Sequence, residues 1–107
     1  MKRFLLTSII ISSSFLTGCL EVDLPKCDDK DTTKTLSEII TKVLKDDGES
    51  YKFISSKNIT EDGFNKETKI RVCSADVMFS NGYEERITYN VYWQNEKNAM
   101  FYVEIVD

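Results

Sequence analysis

Ile87, Tyr89, Val91 and Trp93 stand at every second position, with Thr88, Asn90 and Tyr92 between them and Arg86 ahead. A strand turns successive side chains to opposite faces, so this run builds a sheet with one apolar and one mixed face. A helix would scatter the same residues around its circumference. Two neighbouring stretches share the period. Cys73, Ala75, Val77 and Phe79 are separated by the polar Ser74 and Asp76, and Phe101, Val103 and Ile105 alternate with Met100, Tyr102 and Glu104. A weaker alternation of Tyr51, Phe53 and Ile59 predicts a first strand from Tyr51 to about Thr60, with Glu61–Lys66 as a turn-rich loop.

Register follows from keeping the apolar sets on one face, because a slip of one residue moves every side chain to the other side. A last loop at Gln94–Asn98 sets Trp93 against Ala99, Val91 against Phe101, Tyr89 against Val103 and Ile87 against Ile105. Asn81-Gly82 advertises a two-residue hairpin turn, but that turn would oppose Val77 to Arg86 and Asp76 to Ile87. A three-residue loop, Ser80-Asn81-Gly82 with a left-handed Gly82, instead pairs Cys73 with Tyr89, Ala75 with Ile87 and Phe79 with Tyr83. The bulged turn is therefore predicted.

Ahead of the strands, Leu36, Ile39, Ile40, Val43 and Leu44 recur at three- and four-residue spacing, the stripe of an amphipathic helix. Thr35-Leu36-Ser37-Glu38 fits a capping box, and Asp31 or Thr32 offers a start one turn earlier. Gly48, after Asp46-Asp47, is placed to end the helix. The expected fold is α+β: one N-terminal helix packed on a four-stranded antiparallel meander sheet over residues 32–107. In element order this resembles the cystatin-like fold. That resemblance implies architecture only, since the glutamine-x-valine-x-glycine hairpin motif of cystatins is missing.

The chain begins Met1-Lys2-Arg3, continues through an apolar run from Phe4 to Phe15 broken by Thr7, Ser8, Ser12, Ser13 and Ser14, and reaches Leu16-Thr17-Gly18-Cys19. A transmembrane helix needs about 20 apolar residues, more than this run supplies. The stretch resembles a bacterial lipoprotein signal with its lipobox, over residues 1–19 only. The resemblance implies cleavage before Cys19, a diacylglyceryl thioether on its sulfur and an N-acyl chain on the new amine. With Leu20 next, it also implies the outer membrane of the cell envelope in enteric-type sorting. The plan is then a signal peptide at 1–18, a lipidated cysteine with an acidic tether at 19–31, and a domain at 32–107. Cleavage leaves 12 Lys and Arg against 18 Asp and Glu, a net charge of −6. Such a body has no basic stripe for nucleic acid and is repelled by anionic headgroups, so the acyl chains must hold it to a membrane.

Three cysteines in an exported chain leave one over. The lipidated Cys19 is that one, which leaves Cys27 and Cys73 to each other as a disulfide in an oxidising compartment. The competing reading, a reactive or metal-binding pair, has neither a histidine nor a CxxC motif behind it. Asp28, Asp29 and Asp31 lack the glycine and glutamate spacing of a calcium loop and read as a charge run feeding the helix start. Asn58-Ile59-Thr60 matches a glycosylation sequon that a bacterial lipoprotein has no general reason to use.

Nothing in the chain supports an enzyme. There is no histidine, glycine-rich phosphate loop or G-x-S-x-G elbow, and Glu84 and Glu85 would point to opposite faces of a strand. No metal and no cofactor beyond the lipid is expected. The sheet face turned away from the helix carries Met78, Arg86, Tyr92, Met100 and Tyr102, residue types favoured at interfaces, and is the expected partner surface. The reading is a docking domain for another envelope protein, of accessory, assembly, inhibitor, exclusion or immunity type. The alternative is a periplasmic binding module for a small molecule or glycan, seated between helix and sheet. Either outer strand also offers an edge to a partner strand.

Overall fold

A computed structural model of the chain describes residues 2–6 and 23–106. Cys19, its lipobox and most of the expected leader lie outside the described residues. The elements are β1 (Lys2–Leu6), α1 (Lys30–Asp46), β2 (Phe53–Asn65), β3 (Ile70–Phe79), β4 (Glu84–Asn95), a 3-10 turn (Glu96–Asn98) and β5 (Met100–Ile105). The class is α+β. Strands β2 to β5 form the expected four-stranded antiparallel meander, and the sheet order is β1-β5-β4-β3-β2. Residues 2–6, expected to belong to a leader, add a fifth strand, so the helix does not come first in the chain. Among the residues whose burial is described, the buried apolar core runs from Leu24 to Val103.

Asp29 starts α1. Its backbone is extended and its carboxylate accepts the Asp31 N–H at 2.9 Å, which satisfies one of the orphan donors of a helix N-terminus. The capping box at Thr35 goes unused because the helix is already under way and Thr35 faces the sheet. At the other end Gly48 has φ +73°, its N–H reaches Lys45 O at 3.1 Å, and the Glu49 N–H reaches Leu44 O at 3.0 Å. That pair of bonds is the Schellman closure, and it needs a left-handed residue where glycine meets no steric penalty.

The helix buries Leu36, Ile39 and Ile40 and half-buries Val43 and Leu44. Thr32 and Thr35 extend this face toward the N-terminus, and their hydroxyls are buried with no hydrogen-bond partner among the described residues. An unpaired buried hydroxyl costs about 1–3 kcal/mol, so Thr35→Val, which keeps the shape, is expected to raise stability by about 1 kcal/mol. Urea midpoints at unchanged slope would measure it, with Thr35→Ser moving the midpoint the other way.

The β3–β4 turn is the bulged one. Cys73 pairs with Tyr89 and Ala75 with Ile87, Gly82 has φ +89°, and the Phe79 N–H bonds Tyr83 O at 2.9 Å. The β4–β5 register differs from expectation by two residues: Val91 faces Val103, Trp93 faces Phe101 and Tyr89 faces Ile105. The strand β4 runs on to Asn95, and the chain reverses in a tight 3-10 turn that Asn95 caps and that ends on a left-handed Ala99. A shift of two preserves the faces, so the apolar set still points one way.

Strand β2 also differs from expectation, because it continues through Glu61–Asn65 and turns only after Asn65. Register breaks near Ser55, Thr60 and Gly63, together with Asn58 at φ +53°, absorb the turn-like residues as irregularities of an edge strand. The odd-numbered side chains Cys73, Ala75, Val77, Phe79, Ile87, Tyr89, Val91, Phe101 and Val103 form the buried face under α1. The closest backbone approaches of the helix are to the two margins of the sheet, β1 and β2, with β5 next.

Candidate functional site

The expected staple is in place. Cys27 and Cys73 are disulfide-bonded with Cα atoms 5.7 Å apart. Around it, the segment ahead of the helix is fastened by two side chains the sequence did not single out. Arg71 donates to Leu24 O and Pro25 O, both at 3.1 Å, pairs with Glu61 at 2.7 Å, and lies over the Phe64 ring. Tyr89 donates its hydroxyl to Cys27 O at 3.2 Å. Leu24 and Cys27, within the stretch 19–31 expected to be an acidic tether, are buried and pack with the domain. The residue types gave little warning, since an arginine in an alternating strand reads as solvent-facing.

Burial, helped by the carboxylates of Asp28 and Asp62, pushes the Tyr89 phenol up to about 12. A phenol that ionises later in the folded than in the unfolded chain contributes stability that is complete below pH about 10 and is lost as pH rises toward 12. Urea midpoints of the native chain are therefore expected to fall across that window more steeply than those of Tyr89→Phe. Equal slopes would mean that the phenol does not report on folding.

The face away from the helix divides in two. At one end Arg86 bonds Asp76 at 2.9 Å and Thr60 Oγ1 at 3.0 Å, Asn58 bonds Asp76 at 2.8 Å, and Lys57 pairs with Glu84 at 3.0 Å. The Asn58 amide and then the Arg86 guanidinium hold the Asp76 carboxyl below its ordinary range. Ser74 donates to Asp62 and lies 3.5 Å from the Thr88 hydroxyl, which carries the polar network to mid-sheet.

At the other end the rows turn aromatic and aliphatic. Ile70 faces Tyr92 and Tyr92 faces Tyr102, while in the next row Val72 faces Asn90 and Asn90 faces Glu104. The Tyr92 and Tyr102 rings lie 5.5 Å apart, and Tyr92 donates to Glu104 at 3.2 Å. A shallow depression lined by Gly63, Phe64, Asn65, Thr68, Ile70 and Val72 adjoins this patch through Ile70. The register expected with a last loop at Gln94–Asn98 would also set Tyr92 opposite Met100 and Asn90 opposite Tyr102, and the shift of two replaces both facings by these.

Of the expected partner surface, Tyr92, Tyr102 and Met100 therefore lie together, and Met78 and Arg86 lie at the far end of the same face. Six residues of strand separate Arg86 from Tyr92, roughly 20 Å. Ile70 and Val72 were missed, although the sequence holds their signal: the apolar phase of β3 changes from even numbers at Ile70 and Val72 to odd numbers at Cys73 and Ala75.

A groove also opens under the last turns of α1, lined by Ile40, Val43, Leu44, Tyr51, Phe79, Glu85, Ile87 and Ile105. Its lining is apolar apart from Glu85 and the tip of Tyr51, whose phenol is raised by partial desolvation and by Glu49 and Glu85. It does not gather the convergent polar groups that a glycan needs. The disulfide, the Arg71 clamp and the aromatic patch thus emerge from this chain alone: no family model matches it, and neither a curated protein nor a solved structure does.

Proposed function

We propose that the chain is a lipid-anchored lipoprotein of the bacterial cell envelope, held through Cys19, most simply at the outer membrane, and that its small acidic domain docks on another envelope protein as an accessory, assembly, inhibitor, exclusion or immunity factor. One observation carries the docking half of this reading. The aromatic and aliphatic patch of Ile70, Val72, Tyr92 and Tyr102 spans three strands on the face that α1 leaves uncovered, beside a depression able to take a side chain. Tyrosine-rich patches with an apolar floor supply contact area at low entropic cost. The anchor half rests on Leu16-Thr17-Gly18-Cys19 and on the acidic body, which has no electrostatic means of staying on anionic lipid.

The alternative, a small-molecule or glycan module, draws on the groove beneath α1. Its apolar lining suits an aliphatic group and not a sugar. In-cell crosslinking of the full chain separates the readings. A discrete protein partner is expected, its recovery falling about tenfold for Tyr102→Ala at unchanged protein level and for the unanchored Cys19→Ala. Recovery indifferent to both Tyr92→Ala and Tyr102→Ala would sink the docking surface.

A further inference from the structure

We infer that the free edge of β5 is a strand-accepting site whose occupant, once the leader has been removed, is an extended basic and apolar segment of a partner protein; this rests on the reading of the chain as a cleaved lipoprotein. In the chain as it stands, residues 2–6 sit on that edge in an unbroken antiparallel register, from Lys2 opposite Glu104 to Leu6 opposite Met100. Signal cleavage would take this strand away. The Val106 N–H bonds Thr88 O at 2.9 Å, toward β4, and antiparallel alternation then turns the N–H groups of Ile105, Val103 and Phe101 outward to the vacated side. Phe101 and Val103 are fully buried in the core, so emptying the position would uncover backbone donors that sit directly beside core side chains.

The opposite margin is built differently. Strand β2 is interrupted by three register breaks and carries Lys57, Glu61 and Asp62, devices that discourage edge pairing. The β1-facing side of β5 pairs without a register break from Met100 to Glu104, its one charged residue is Glu104, and α1 passes close to the β1 position. The seated segment defines the chemistry of the occupant. It begins with two basic residues, one of them opposite Glu104, and continues apolar, complementary to a body of net charge −6 with 12 basic and 18 acidic residues. Main-chain bonds would supply the affinity and the side-chain alternation the selectivity.

The test uses residues 19–107, the mature chain of the proposed lipoprotein, which retain the core side chains of the described residues, and a synthetic peptide with the sequence of residues 1–7. Saturating peptide is expected to slow amide exchange of Phe101 and Val103 about tenfold and to leave β2 unchanged. A peptide with glutamate in place of both basic residues should bind at least about fivefold more weakly, and Glu104→Lys should narrow that difference. Unchanged exchange at Phe101 and Val103, or protection on β2 instead, would overturn the assignment. Slowing without peptide that grows with protein concentration would seat a second copy there and also overturn it. The mass of the membrane-extracted protein is a separate readout: residues 1–18 still attached would sink the anchored reading, whereas unaltered exchange with those residues gone would sink the edge.

Discussion

Replacing Cys27 and Cys73 together by alanine is expected to lower the free energy of unfolding by about 4 kcal/mol. The two are 46 positions apart, and cross-linking them removes much of the freedom of the unfolded chain. Stabilities of small domains run about 5–15 kcal/mol, so such a loss is a large share of the whole. The folded side of the balance should change little, because Arg71 and Tyr89 hold Leu24, Pro25 and Cys27 by three further hydrogen bonds. Urea titration of the double variant against the native chain measures the loss. A change under about 1 kcal/mol would mean that these hydrogen bonds and the burial of Leu24, not the covalent link, secure the segment. Mass spectrometry with and without reductant gives the prior check, since free thiols at both positions would remove the premise.

Leu36→Ala is expected to cost about 3 kcal/mol, and Leu44→Ala roughly half as much. Leu36 is fully buried beneath the first half of α1, whereas Leu44 is half-buried beside the open groove, where a cavity is relieved by solvent. The ratio tests the packing more sharply than either value. Equal losses would mean that the helix lies evenly along the sheet, with its C-terminal turns as tightly covered as its start.

Much of this architecture is legible in the residues. The period of two in Ile87–Trp93 and Phe101–Ile105 assigns strands and faces, and the requirement that faces match selects the bulged turn at Gly82 over the commoner two-residue one. The same reasoning misplaced the β4–β5 register by two, because every even shift leaves the faces intact and only the conformation of Asn95–Ala99 chooses among them. It also stopped β2 too early. Turn-forming residues at Glu61–Asn65 carry the same local preference whether the chain reverses or bulges, and pairing with Ile70–Cys73 decided for the bulge. The candidate surface was half legible: one face could be named from alternation, but not which of its ends is aromatic, since that depends on strands arriving from separate parts of the chain.

By itself the sequence determined the α+β class, the burial of the odd-numbered set and the helix stop at Gly48, because each rests on local geometry or on a parity that any register must respect. The pairing of Cys27 with Cys73 was expected from the cysteine count once the resemblance to a lipoprotein signal had assigned Cys19. Tertiary structure alone decided that Arg71 turns inward to hold Leu24 and Pro25, that Ile70 joins Tyr92 and Tyr102 in one patch, and that the β5 edge takes a strand opposite Glu104 where β2 is blunted by bulges. Those are relations between distant segments. Their free energy comes from contacts made only after the chain has closed its loops, and no local preference encodes them.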